Sequence, residues 1–259
     1  MVIRHCVLSA EYIFNEELVT SLMKNEGYTR NEATRKDFAM NFRDIASRFA
    51  YEVYCITELY SRLLEKVKTD DTKQISVLCI KEITDDRVLN LLGAKNIQIQ
   101  YDIRDFFALR PMEKRKKALS LLMEGIQKVA TQSQWDSAPF DRAHDAVIEQ
   151  GYINHRIWKK VSSPNRKMYA ELLLQLEVEA MNIVATIRGK KNGEELCRKT
   201  LVTTKPDSIH YNLCLGTFKW ESNTKVTLTA KLGDAIWDGD EYLGTSEIKN
   251  SWSLEMDEL

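Results

Sequence analysis

The chain has no long apolar run, few prolines and glycines and no paired cysteines, and each shortage removes a class of protein. No stretch approaches the roughly 18 to 20 apolar residues that a membrane-spanning helix needs. Four Pro and ten Gly in 259 residues exclude collagen-like and low-complexity chains, and long disordered segments are not expected. Five cysteines, Cys6, Cys55, Cys79, Cys197 and Cys214, are odd in number, scattered and without a C-x-x-C pair. That pattern supplies neither a disulfide nor a zinc framework, and the cysteines set among apolar residues are expected as buried, reduced thiols.

Neither sign of charge dominates either. Lys plus Arg total 37 and Asp plus Glu 38, so the molecule as a whole has no general attraction for phosphate or an anionic membrane. The opening MVIRHCVLSAEYIFNEE carries an acid too early and an apolar run too short for a signal peptide, and the closing MDEL lacks the Lys or His that normally begins a retrieval signal. A soluble, cytoplasmic protein with no membrane association is expected. The phosphate loops G-x-G-x-x-G and G-x-x-x-x-G-K-[ST] and the hydrolase elbow G-x-S-x-G are missing, so no cofactor is expected.

What is present reads as an α+β fold. Asn15 is a suitable N-cap for a helix ending near Gly27, and Thr29 with Glu32 forms a capping box for the next one. Apolar residues from Phe38 through Phe42, Ile45, Phe49, Val53, Ile56, Tyr60 and Leu63 to Val67 recur every three or four positions, which predicts one long helix. The segment YEVYCIT inside it favours strand locally. QISVLCIKEI, residues 74–83, has the near-continuous apolar character of a central strand. A helical turn is expected from Asp85 to Gly93, an alternating strand over 96–103, and helices opening at Pro111 and near Pro139.

Beyond Gly151 the pattern turns to β alternation. Leu172 through Ala180 alternate, the phase slips near Met181 and Asn182 as at a bulge, and Asn192-Gly193 marks a hairpin. Ile209, Tyr211, Leu213 and Leu215 suggest another strand before the ESNT turn and Val226 to Ala230. The expectation is a largely helical amino-terminal half with a few strands, residues 1–155, and an antiparallel sheet of four to five strands, residues 156–259, forming two domains or one continuous one.

Candidate chemistry is sparse. His5, His144, His155 and His210 are far apart in sequence and fit no zinc spacing. GDAIWDGDEYLG fails the calcium-loop pattern and reads as a solvated turn, so no metal is expected. The basic run RPMEKRKKA, with Lys116 and Lys117, and the group around Trp158 can touch an acidic partner or nucleic acid, although solvated faces look the same. Trp220, Trp237 and Trp252 crowd the carboxy-terminal forty residues and are either interface anchors or core. The leading expectation is a non-catalytic protein that binds another protein, a bacterial inhibitor or immunity-type protein being one such kind. Its residues would be Trp158, Trp220, Trp237, Trp252, Lys116 and Lys117. A hydrolase or transferase with dispersed acids and histidines, and a nucleic-acid-binding protein, are the alternatives.

Overall fold

The computed structural model describes residues 1–231 and 250–256. The chain divides into two compact units, Met1–Tyr152 and Ile153–Leu259. Its class is α+β, with an antiparallel four-stranded sheet in the carboxy-terminal half.

The first unit opens with strand β1 (His5–Ala10) and helices α1 (Glu16–Glu26), α2 (Arg30–Asn41) and α3 (Arg43–Leu63). Strands β2 (Gln74–Ile80), β3 (Leu89–Leu91) and β4 (Ala94–Gln100) follow. A 3-10 helix (Ile103–Ala108) then leads to α4 (Pro111–Gln132) and α5 (Ala138–Glu149). The sheet order is β1-β2-β4-β3, with β1, β2 and β4 parallel and β3 antiparallel at the edge. α3 packs on β1, and α4 crosses β2 and β4. The close approach of α4 needs Gly125, because a Cβ there would lie 2.4 Å from both γ-carbons of Val77.

Both early caps form as the sequence predicts. Asn15 accepts from Leu18 N at 3.1 Å, Gly27 ends α1 in the left-handed region, and Thr29 and Glu32 make the capping box. The single long helix, however, is two helices broken at Phe42, whose backbone (φ −131°, ψ −42°) leaves the helical region. The apolar spacing runs unbroken across this break because Phe38 and Phe42 are held by ring contacts with Tyr12, at 5.2 and 5.3 Å. YEVYCIT is helical. Val53, Cys55 and Ile56 are fully buried there, and tertiary packing overrides local β propensity. The expected turn from Asp85 to Gly93 is instead the edge strand β3 and a tight hairpin.

The second unit contains β5 (Asn154–Ser162), β6 (Met168–Leu176), β7 (Met181–Gly189), β8 (Glu195–Thr204), α6 (Ser208–Cys214), β9 (Thr217–Trp220), β10 (Lys225–Thr229) and β11 (Ser251–Glu255). The four-stranded sheet is the meander β5-β6-β7-β8, and β9, β10 and β11 form a second sheet in the order β11-β10-β9. β9 lies against β5 and β11 against β8, so the smaller sheet closes over one face of the larger. Leu172, Leu174, Ile183, Ala185, Phe218, Val226 and Leu228 are buried between them.

Two sequence expectations change here. The phase slip near Met181 is not a bulge but a hairpin between β6 and β7, closed by Glu177 N donating to Ala180 O at 2.9 Å. Ile209 to Leu215 belong to a helix and not a strand. Asp207 caps it by accepting from Ile209 N and His210 N, Tyr211 and Cys214 turn inward, and Ile209 is left 75% exposed. The Asn192-Gly193 hairpin and the ESNT turn stand as expected.

Candidate functional site

Three parallel strands ending on one edge of a sheet create a crevice wherever their exit loops diverge, and open α/β sheets bind ligands at that edge. Here β1, β2 and β4 end together: Glu11 N donates to Cys79 O at 3.0 Å and Tyr101 N to Ile80 O at 2.8 Å, extending the ladders past the strand ends. Beyond them the loops open into a cleft of about 330 Å³. Its walls are Ile13, Phe42, Ile45 and Ile103, with Cys79, Ile80 and Tyr101 toward the strands. Glu11, Asn41, Lys81, Glu82, Asp102 and Arg104 supply its polar groups.

The Glu11 carboxylate is held from behind. Gln98 is only 8% exposed, and its Oε1 accepts from Thr84 N at 2.8 Å and Asp85 N at 3.0 Å. That fixes the amide's orientation, and Nε2 donates to Glu11 Oε2 at 2.7 Å. The opposite wall is anchored by Asp37, buried on α2. It accepts from Tyr12 Oη at 2.6 Å, Asn15 N at 2.8 Å and the cleft residue Asn41 at 2.8 Å. Burial alone would raise the Asp37 pKa, but these three donors outweigh it and hold the carboxyl below its ordinary value. Burial, reinforced by Asp37, pushes the Tyr12 hydroxyl up.

Burial also pushes the Cys79 thiol up to about 12, and Tyr101 to about 12 with help from Asp105, Cys79 and Asp102. Both are therefore neutral near pH 7, and Cys79 is a wall rather than a nucleophile. Among the described residues no group of three or more His, Cys, Asp or Glu is arranged to hold a metal ion. No helix among them is long and apolar enough to cross a membrane.

A second feature lies at the edge of the same sheet. Leu92 and Gly93, with φ of 53° and 87°, form the two-residue turn between β3 and β4, a conformation that Asn-Gly serves at less cost than leucine. Leu89 is 42% exposed, Leu91 61% and Leu92 completely. The hairpin is nevertheless rigidly fastened. Asn90 Nδ2 donates to Asp71 at 2.5 Å, Gly93 O accepts from Lys73 N at 2.8 Å, and Gln132 accepts from Val88 N at 2.8 Å.

The residues singled out in the sequence are dispersed. Lys116 and His144 line a separate groove of 420 Å³ with Glu124 and Tyr152, and His144 Nδ1 sits 3.0 Å from Asp145. Lys117 lies over the Tyr101 ring at 5.5 Å. Lys114, from the same basic run, is 3% exposed and sits 2.6 Å from the buried Glu52, which also pairs with Arg48 at 2.6 Å. Trp158 falls at the irregularity in β5, half-buried. Trp220 donates from Nε1 to Val161 O at 3.1 Å, and Trp252 is half-buried opposite Leu228. Trp237 and the acidic stretch around it lie outside the described residues. His155 pairs with Glu177 at 2.7 Å and His210 with Asp207 at 2.5 Å.

Another concavity, of about 630 Å³, opens at the other end of the strands around Arg4, Lys68, Asp70 and Lys73. These charges are all exposed, so water screens them, and nothing buried positions them as Gln98 positions Glu11.

Sequence reasoning overlooked Glu11, Gln98 and the leucine hairpin. Gln98 read as one polar tooth on a wet strand face, and Leu-Leu-Gly read as the end of a helical turn. No family model, curated protein or solved structure matches this chain.

Proposed function

We propose that this is a non-catalytic protein-binding protein whose contact with its partner is centred on the β3–β4 hairpin. The observation that carries this reading is Leu92, wholly exposed and in the left-handed region, at the tip of an edge strand that also exposes Leu89 and Leu91. A leucine in that backbone region costs roughly 1 kcal/mol or more, and an apolar edge strand invites association that most proteins suppress with charge or proline. β3 carries neither. Its fastening to Asp71, Lys73 and Gln132 spares the ordering entropy that a loose loop loses on binding. Rigid apolar anchors rimmed by polar groups, here Asn90 and Lys95, are the usual anatomy of an interface centre. An edge strand can also add a partner's strand through its outer backbone groups.

The test is affinity capture by the tagged protein beside a variant carrying Leu91→Thr and Leu92→Asn, followed by affinity measurement with the purified partner. A stoichiometric protein held by the natural chain and released from the variant supports the reading. Equal retention by both moves the interface elsewhere, and retention of nucleic acid alone, lost as salt rises, replaces the reading with the nucleic-acid alternative.

A further inference from the structure

The cleft at the carboxy ends of β1, β2 and β4 plays no part in that reading and is independent of it. We propose that it binds a small organic cation, an ammonium group on an apolar body, with Glu11 as the counter-charge. Three observations combine. The cavity of 330 Å³ is walled by aliphatic side chains and by the rings of Phe42 and Tyr101. That suits an apolar body.

The second is Glu11 itself. Gln98 is buried, and the backbone N–H groups of Thr84 and Asp85 orient it so that its amide N–H meets Glu11 Oε2. Gln98 Nε2 also donates to Thr84 Oγ1 at 3.0 Å, so the buried amide ties the 84–85 segment to Glu11 and holds that carboxylate in place, the support that a recognition residue needs. A preorganised charge also binds more strongly than one that must first be ordered.

The third is the placing of the charges at the rim. Glu11, Glu82 and Asp102 line the cleft with Lys81 and Arg104, and Lys117 reaches the Tyr101 ring, at 5.5 Å. Glu82, Lys81 and Arg104 are exposed, so solvent screens them, whereas Glu11 and Asp102 are partly buried. Asp102 commits one oxygen to capping the 3-10 helix, accepting from Arg104 N at 3.0 Å. Glu11 is thus the lining carboxylate that a buried side chain holds in place.

The experiment uses the full chain and three shape-matched probes, phenethylamine, 2-phenylethanol and phenylacetate, titrated by calorimetry and two-dimensional NMR. Phenethylamine is expected to bind saturably, with shifts centred on Cys79, Ile80 and Tyr101; phenylethanol should bind more weakly and phenylacetate not at all. The isosteric Glu11→Gln should weaken the amine by about tenfold or more, since a charge-assisted contact contributes that much. Lys81→Gln and Arg104→Gln should leave amine affinity unchanged or strengthen it. Saturable binding of phenylacetate, equal affinity for alcohol and amine, indifference to Glu11→Gln, or no binding of any probe up to its solubility limit would each overturn the proposal.

Discussion

The two units bury different things. Met1–Tyr152 encloses ionisable groups, Asp37 at 1% exposure and the Glu52–Lys114 pair at 5% and 3%, together with the amide of Gln98. Among the described residues of the second unit, the buried polar groups are uncharged: Asn154, Ser163, Thr186, Thr204 and Thr227. Its charges instead form a surface chain across the outer face of the four-stranded sheet, from Lys160 to Glu171, Arg188, Glu195 and Arg198. The contrast follows from geometry. A strand sends successive side chains to opposite faces, so alternation alone separates charge from core. A helix packed on several sides has no such separation. α3 meets β1, α4, α5 and the 3-10 helix, and a charge it turns inward needs a partner.

The contrast can be broken most forcefully at Glu52. Glu52→Ala removes the carboxylate paired with the buried Lys114 and should cost about 3 to 5 kcal/mol in urea unfolding, whereas the paired change Glu52→Leu with Lys114→Met should restore stability to within about 1 kcal/mol. A double variant as unstable as the single one would show that the pair is not the source of the loss.

Next come the two tight glycines, one in each unit. A Cβ at Gly216 would meet the backbone at Thr229 O and Ala230 C, at 2.4 and 2.6 Å, while a Cβ at Gly125 would meet the Val77 side chain. Gly216→Ala should cost about 3 kcal/mol with no compensating substitution, and Gly125→Ala about 2 kcal/mol, largely recovered by adding Val77→Ala. Thermal unfolding of all three variants decides it.

Asp37 sharpens the comparison through pH. Its folded pKa lies below the ordinary value, so the stability it contributes is present above the unfolded pKa and is lost as pH falls through the folded one. Asp37→Asn should cost about 2 kcal/mol at neutral pH, and its deficit against the natural chain should shrink in acid. A deficit independent of pH would mean that the carboxylate's charge contributes nothing.

The smallest expected effect is a gain. Leu92→Asn should raise stability by about 1 kcal/mol by relieving the left-handed leucine, while weakening partner binding. A variant that is more stable and still binds fully would detach the hairpin from function.

Much of the fold was legible in the chain. Asn15, Thr29 with Glu32, Pro111 and Asn192-Gly193 act on their own neighbourhoods, and each marks its boundary in the structure. The errors fell where a local pattern had two solutions. Ile209, Tyr211, Leu213 and Leu215 fit a strand, yet Asp207 followed by Ser208 caps a helix, and the cap prevails. The group around Trp158 lies on strand β5, whose alternation is weak because both faces of an edge strand stay partly wet.

The candidate sites were illegible for a different reason. Glu11, Gln98 and Tyr101 lie up to ninety residues apart in the chain and become neighbours only because β1, β2 and β4 run parallel and end together. Composition, caps, turns and hydrophobic period by themselves determined the α+β class, the cysteine chemistry and most helix and strand positions, since each depends on residues within a few positions of one another. Strand order, the break at Phe42, the burial of Lys114 and the convergence on Glu11 were decided only by the tertiary structure. They depend on which distant segments share a surface, and no local pattern encodes that.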